Sequence, residues 1–475
     1  MHASKHLNAK EYIFHSTTKT CVETVKDCVQ RIHDKKDLNI FLEVFEEESL
    51  LSAKKIDQKI KNKSAGKLAG CIIAIKDNIC YKGHLTTASS KILEGFQSLY
   101  SATVIERILN EDAIIIGRLN CDEFAMGSTN ENSIHGPTKN PLNPNNVPGG
   151  SSGGSAAAVS ANLCHLAIGS DTGGSVRQPA AFCGVTGFKP TYGMVSRNGL
   201  IAYASSFDQI GPISKCIKTI DLFMRVVSGA DSFDTTCIFS KEHFQKKPFQ
   251  PQKFEKIKQN IVVLENTMNH PSVNKKVKEL FLILLESLKK SGHTIKYVNS
   301  PLLDYLVPAY YILSTAEASS NLARYDGIKY GFRSKEAISW DGVIKDSRSK
   351  GFGQEVKRRI LLGSFVLSEG YYDDYYSKAQ KIRRLIKEET DKRLKEYNFI
   401  LTPTSPVLPF KIGAEQKDPT AMYLQDVFTV QSNLTGHPSI SIPIKSNFPV
   451  GAQLIGDFGD DSNLISFANY ITSIC

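Results

Sequence analysis

Short, wholly apolar runs alternate with amphipathic stretches along this chain, and the alternation predicts its elements. "GCIIAIKDNI" reads as a buried strand that ends at Lys76, and "AIIIGRLN" as a second. Between them "SATVIERILNED" carries apolar residues at helical spacing. Residues 137–150, "PTKNPLNPNNVPGG", hold four prolines and read as a loop. "GSAAAVSANL" then predicts a helix of small residues, "HLAIGS" a strand, "DTGGS" a turn, "VRQPAAFCG" a helix start and "VTGFKPT" a strand. Strand–helix alternation continues to about residue 230, and residues 235–260 form a polar, lysine-rich surface excursion. "KIKQNIVVLEN" predicts a strand, and "VNKKVKELFLILLESLKKSGHTIKYVN" an amphipathic helix followed by a strand. Residues 305–400 read as mostly helical, before "FILTPTSP", "SISIPI" and "VGAQLIG" return to strand. Residues 1–65 read as an N-terminal helical region. Both ends of the remainder supply buried strands. An α/β fold is therefore expected, in which residues 66–475 form one interwoven domain with helices on both sheet faces and a more helical insertion around 300–400.

Bulk composition narrows the class. The chain has 475 residues, 41% hydrophobic and 22% charged, enough for a large core. No run of 18 apolar residues and no signal-like apolar start is visible, so a cytoplasmic protein that makes no membrane contact is expected. The net charge of +10 fits solvated lysine-rich helix faces or proximity to nucleic acid. The ten cysteines form no C-x-x-C pair, which suits free thiols in a reducing compartment. The eleven histidines show no H-E-x-x-H spacing, and no metal site is expected.

Candidate chemistry gathers in "PGGSSGGSAAAVSANLCHLAIGSDTGGSVRQPAAFCG", with glycine–serine clusters at 149–155 and 172–175. The first has no lysine to make a P-loop and does not match G-x-G-x-x-G. "GGSSG" matches a nucleophile elbow, but "LNPNNVP" before it cannot be the strand an elbow needs. His437 is the best histidine candidate for a base, but its context favours a plain loop residue. The second cluster is strand, turn and helix start, where consecutive backbone N–H groups suit an oxyanion hole with Ser175 as nucleophile; a plain tight turn is the other reading. A serine nucleophile needs a base. A desolvated, neutral lysine serves, and Lys76 at its strand end is the candidate, although taken alone it reads first as a solvated strand-end lysine.

Together, "AIKDN" at 74–78, "GGSSGGS" at 149–155 and "GSDTGGSVRQPAAFCG" at 169–184 resemble the amidase signature family. The resemblance implies that family's mixed, twisted central sheet covered by helices on both faces. It also implies Lys76 as base, Ser151 as a middle serine with a cis peptide bond, Ser175 as nucleophile, and the N–H groups of Thr172, Gly173, Gly174 and Ser175 as the oxyanion hole. A narrower likeness, to the glutamine-hydrolysing components of tRNA-dependent amidotransferases, rests on residues 122–143, 189–213, 316–337 and 351–376. One departure is Cys71-Ile72, where that group commonly has Ile-Pro. The narrower likeness points to Tyr310, Arg359 and Asp426 as glutamine-binding residues, with Arg358 and Tyr311 one position away. It implies a heterotrimer with B and C subunits. No cofactor is implied in this chain: ATP and Mg would serve B, which would activate misacylated Glu-tRNA(Gln) and bind most of the tRNA. Two rivals follow from the same residues: a stand-alone amidase acting on another small amide, and a basic nucleic-acid-binding protein whose Gly/Ser segments are structural.

Overall fold

The structure, a computed structural model, describes residues 19–237, 258–414 and 424–474. Much of the lysine-rich excursion at 235–260, and the first 18 residues of the expected N-terminal helical region, lie outside the described residues. In chain order the principal elements begin with α1 (Cys21–Asp34), β1 (Phe41–Val44), α2 (Glu46–Lys61), β2 (Ile72–Lys76), α3 (Thr103–Asn110), β3 (Ile114–Leu119) and α4 (Gly153–Ser160). There follow β4 (Leu166–Asp171), α5 (Arg177–Phe182), β5 (Thr186–Lys189), β6 (Gln209–Ser214), α6 (Ile217–Val227), β7 (Asn260–Leu264), α7 (Lys275–Lys290) and β8 (Thr294–Val298). The last third holds α8 (Leu306–Asn321), α9 (Trp340–Gly351), α10 (Gln354–Val366), α11 (Lys378–Glu396), β9 (Phe399–Pro403), α12 (Val430–Thr435), β10 (Ser439–Pro443), β11 (Gly451–Ile455) and α13 (Asp461–Ile474).

All eleven strands form one sheet, in the order β1-β3-β2-β4-β6-β5-β10-β11-β9-β7-β8. It is mixed. β2 runs parallel to β3 and β4, β9 and β7 are parallel, and β4, β6, β5, β10 and β11 alternate antiparallel. The apolar runs make this possible because strands buried on both faces need no polar alternation. On β2, Ile73 and Ile75 join the core under α3, α6, α7 and α13, while Ile72 and Ala74 join the opposite core under α1, α4 and α5. The small-residue pattern of α4 has a steric cause: a Cβ at Gly154 would sit 2.3 Å from the Asn120 carbonyl oxygen. Capping starts α1, where Thr20 Oγ1 accepts from the Glu23 N–H at 3.2 Å and Glu23 accepts from the Thr20 N–H at 2.7 Å.

The N-terminal segment differs from a purely helical reading. "FLEV" forms the edge strand β1, antiparallel to β3. Four residues between two helices are too few to show a period, and the strand exists only because β3 offers an open edge. Helices α8, α10 and α11 build a third core with Tyr203, Phe207 and Phe428, beside the end of the sheet where β2 and β4 terminate. No described helix is long and apolar enough to cross a membrane.

Candidate active site

β2 and β4 are parallel neighbours, so their C-terminal ends lie side by side. Lys76 is the last residue of β2 and is fully enclosed. Its Nζ donates to Ser151 Oγ at 2.7 Å, Ser152 Oγ at 2.9 Å and Ser170 Oγ at 3.0 Å. Burial pushes the ammonium down to about 8, against the pull of Asp122, Asp171 and Asp208. Once neutral, Nζ keeps two N–H donors and gains a lone pair. Ser170 already accepts from Asn78 Nδ2 at 2.9 Å, and Ser152 is held to the Ser170 backbone at 3.2 Å. With Ser152 and Ser170 as acceptors, the lone pair is left for the Ser151 proton. The Gly150–Ser151 peptide bond is cis, and the Ser152 N–H donates to the Ser175 carbonyl at 3.2 Å, which joins the two serine turns.

The turn after β4 is fixed by a buried ion pair. Arg177 Nε and Nη2 each reach Asp171 at 2.9 Å, and Arg177 also holds the Thr429 carbonyl at 2.9 Å, Ser432 at 2.8 Å and Asn433 at 2.7 Å. Burial pushes the Asp171 carboxyl up, but the Arg177 charge and hydrogen bonds outweigh it and hold it at about 2. Asp171 in turn accepts from the Gly174 N–H at 2.9 Å and the Val176 N–H at 3.2 Å. Of the expected oxyanion donors, the Gly174 N–H thus already has this carboxylate as its partner. The glycines are demanded by crowding. A Cβ at Gly173 would meet the Tyr310 hydroxyl at 2.5 Å, and one at Gly174, whose φ is +132°, would meet Thr429 Oγ1 at 2.2 Å. Ser175 sits at the mouth of this turn, 9% exposed, whereas Ser151 is sealed.

Comparison with known proteins decides what this arrangement belongs to. The Amidase family model matches residues 23–465. The chain belongs to the amidase signature family. Among curated members of that family, the A subunit of glutamyl-tRNA(Gln) amidotransferase from Chlorobium phaeobacteroides is 47% identical over 98% of both chains. Its counterpart in Oceanobacillus iheyensis is 46% identical over 95% of this chain and 92% of its own. The crystal structure of the counterpart from Thermotoga maritima is 38% identical, covers 97% of this chain and 93% of its own, and superposes with a TM-score of 0.77. A bacterial aryl acylamidase of the amidase signature family, 21% identical with a TM-score of 0.82, shares the fold.

The remaining residues singled out from this amidase-family sequence fall into two groups. Tyr310, Arg359 and Asp426 come together beside the Gly173 turn. Tyr310 packs on Gly173, and burial pushes the Asp426 carboxyl up to about 7, against the Ser128 hydrogen bond and the Arg359 charge, which lower it. Arg359 donates to Glu355 and to the Tyr203 hydroxyl, both at 2.8 Å, and lies 5.3 Å from the Tyr311 ring. The side chain of Arg359 is 4% exposed and turned toward Tyr203 and Tyr311, whereas that of Arg358 is 54% exposed. Tyr311 is also buried, edge-on to Tyr310 at 5.1 Å. His437 belongs elsewhere: it is buried beside Asp391 and Phe458, and desolvation holds its imidazole down at about 3. Among the described residues no three metal-ligating side chains cluster, and nine cysteines are free thiols. Sequence reasoning missed Ser152, Ser170, Asn78, Asp171 and Arg177 as parts of the site. The one available signal was Asp171 and Arg177 flanking the glycine turn, a charge pair six residues apart.

Proposed function

We propose that this chain is the glutaminase subunit of a glutamyl-tRNA(Gln) amidotransferase. The observation that carries the reading is the buried Lys76 amine 2.7 Å from Ser151 Oγ, in a chain whose full-length relatives bear that subunit's name. In this reading neutral Lys76 accepts the Ser151 proton as Ser151 accepts the Ser175 proton. Ser175 Oγ attacks the carboxamide carbon of glutamine. The N–H groups of Thr172, Gly173 and Ser175 hold the oxyanion, each worth on the order of 100-fold or more in rate. The relay returns the proton to the leaving nitrogen, and ammonia departs. Water then attacks the γ-glutamyl ester, gives its proton to the same relay, and releases glutamate with Ser175 restored. At the other end of the substrate, Arg359 receives the α-carboxylate, Asp426 the α-ammonium, and Tyr310 lines the wall.

The released ammonia goes to a B subunit, which uses ATP and Mg to activate the glutamate carried by Glu-tRNA(Gln). A C subunit completes the heterotrimer, and tRNA contacts lie mainly on B. Cytoplasmic location follows from that role. Glutamate release by the purified chain tests the reading, measured alone and with B and C subunits, beside Ser175→Ala. Release that rises with partners and disappears in the variant is expected. Turnover of unrelated amides without partner effect, and none of glutamine, would instead identify a stand-alone amidase.

A further inference from the structure

The segment 122–132, "DEFAMGSTNEN", touches the serine turn and the substrate-holding elements at once. The Asp122 N–H donates to the Ser151 carbonyl at 3.2 Å. Its carboxylate accepts from the Asn130 N–H at 2.9 Å and the Asn132 N–H at 3.1 Å. That carboxylate lies so close to Gly150 that a Cβ there would meet Oδ2 at 2.1 Å. The next residue faces the other way. Glu123 accepts from the Gly353 N–H at 2.9 and 3.1 Å, and from the Ser90 hydroxyl. Gly353 is the N-cap of α10, the helix that carries Arg359, and a Cβ on it would meet Glu123 Oε2 at 2.3 Å. A carboxylate at that position satisfies an orphan N–H and complements the helix dipole. Phe124 and Ala125, both at positive φ, turn the chain between these two jobs, and Phe124 wedges between Tyr325 and Phe352 at 5.0 and 5.7 Å. Further on, Ser128 Oγ donates to Asp426 at 2.6 Å, and its carbonyl accepts from Gln178, which holds the Gly150 N–H at 3.0 Å.

We propose that Asp122 and Glu123 are paired positioning residues, Asp122 fixing the Gly150–Ser151 turn and Glu123 fixing the start of α10, so that the distance between the proton relay and the glutamine carboxylate clamp is set by one peptide unit. The proposal rests on the glutaminase reading for the identity of the substrate. Neither side chain touches the reacting atoms. Each acts through neighbours: the Asp122 carboxylate lies against Gly150 and holds the Asn130 and Asn132 N–H groups beside that turn, and Glu123 holds the cap of the helix that carries Arg359. Adjacent carboxylates with opposite targets therefore separate kinetically: one governs turnover, the other substrate capture.

The test is steady-state glutaminase kinetics of the full chain with its partner subunits, for Asp122→Asn, Glu123→Gln and Ser90→Ala. Asp122→Asn lowers kcat by about tenfold or more with KM changed less than about twofold, as a misplaced relay requires. Glu123→Gln raises KM by about tenfold with kcat nearly intact, since Arg359 binds ground and transition states alike. Ser90→Ala, which takes one donor from Glu123 together with a cap on the Ile92 N–H, gives a smaller rise of KM in the same direction. Amide hydrogen exchange at residues 353–355 speeds up in Glu123→Gln and not in Asp122→Asn. Equal losses of kcat in both variants, wild-type kinetics in both, or unchanged exchange at 353–355 would overturn the proposal. Should the wild-type chain hydrolyse another amide and not glutamine, the glutaminase reading fails by itself. The pair is then judged by kcat of Asp122→Asn on that amide and by the exchange at 353–355.

Discussion

Arg177 Nε and Nη2 grip the two carboxylate oxygens of Asp171 at 2.9 Å each, with both side chains wholly enclosed. Two serine-bearing turns depend on this pair. Asp171 also accepts from the Gly174 and Val176 N–H groups and from Asn433, and Arg177 reaches α12 and β11 through Ser432, Asn433 and Gln453. The turn that bears Ser175 is thereby pinned to a helix and a strand from the far end of the chain.

Arg177→Ala strands a buried carboxylate. Removing one partner of such a pair costs about 3–5 kcal/mol. The urea midpoint of the variant falls accordingly, with an unchanged slope if only stability is affected. Arg177→Lys does not rescue it, because one ammonium cannot replace the five directed donors of a guanidinium. A variant as stable as the wild type would refute the role given to this pair.

The pH dependence follows mainly from two groups. Lys76 must be neutral to accept a proton, and burial sets it at about 8. Turnover under saturating glutamine therefore rises with pH through about 8 and levels off above. Asp426 must be ionised to hold an ammonium, and burial sets it at about 7. KM for glutamine therefore falls as pH rises through about 7. The two limbs are separable by measuring kcat and KM across a range of roughly pH 6 to 9; Asp426→Asn weakens the KM limb while leaving that of kcat, and the remainder belongs to Glu123, whose carboxyl is also pushed up to about 7 by burial.

Gly173→Ala places a methyl where the Tyr310 hydroxyl lies, at 2.5 Å. Tyr310 is buried and has little room to yield. The turn shifts instead, and kcat drops by about 100-fold, the order of one lost oxyanion donor. The double variant Gly173→Ala/Tyr310→Leu removes both the hydroxyl and the ring carbon Cζ, each 2.5 Å from the added methyl, and recovers part of the loss. No recovery would mean that the glycine serves the backbone alone.

Arg359→Lys keeps a charge and loses the fork. It raises KM for glutamine by roughly tenfold or more while the enzyme remains folded, because a monodentate contact replaces a bidentate one and Glu355 keeps a cation beside it. Arg358→Ala, on the exposed side of α10, leaves KM unchanged. The reverse order of effects would shift the register by one residue.

Much of this was legible in sequence where a single segment carries the signal. β2, β3, β4 and α4 are read from runs of apolar or small residues, and Lys76 is marked by its place at the end of "CIIAIK". Ser175 is marked by the strand–turn–helix pattern around it. The trio proposed to hold glutamine came from resemblance, because "AYYIL", "VKRRI" and "LQDVF" carry no local sign that distinguishes a site residue from a packing one. What no local pattern reveals is the set of contacts made across the fold. Ser170 points at Lys76 from 94 residues away, and Asn433 reaches Asp171 from 262. The same holds for β1, a strand only because β3 lies open beside it, and for the Gly174 N–H, which the turn motif offers to an oxyanion and Asp171 takes.

The central claim is that Ser175, activated through Ser151 and Lys76, carries the γ-glutamyl group. The most direct measurement is peptide mass spectrometry of the protein quenched in acid during glutamine turnover. The account predicts a γ-glutamyl ester on the peptide containing Ser175, lost on brief alkaline treatment, and absent from Ser175→Ala and from Lys76→Ala. An ester on Ser151 or Ser152, or undiminished turnover by Ser175→Ala, would contradict it.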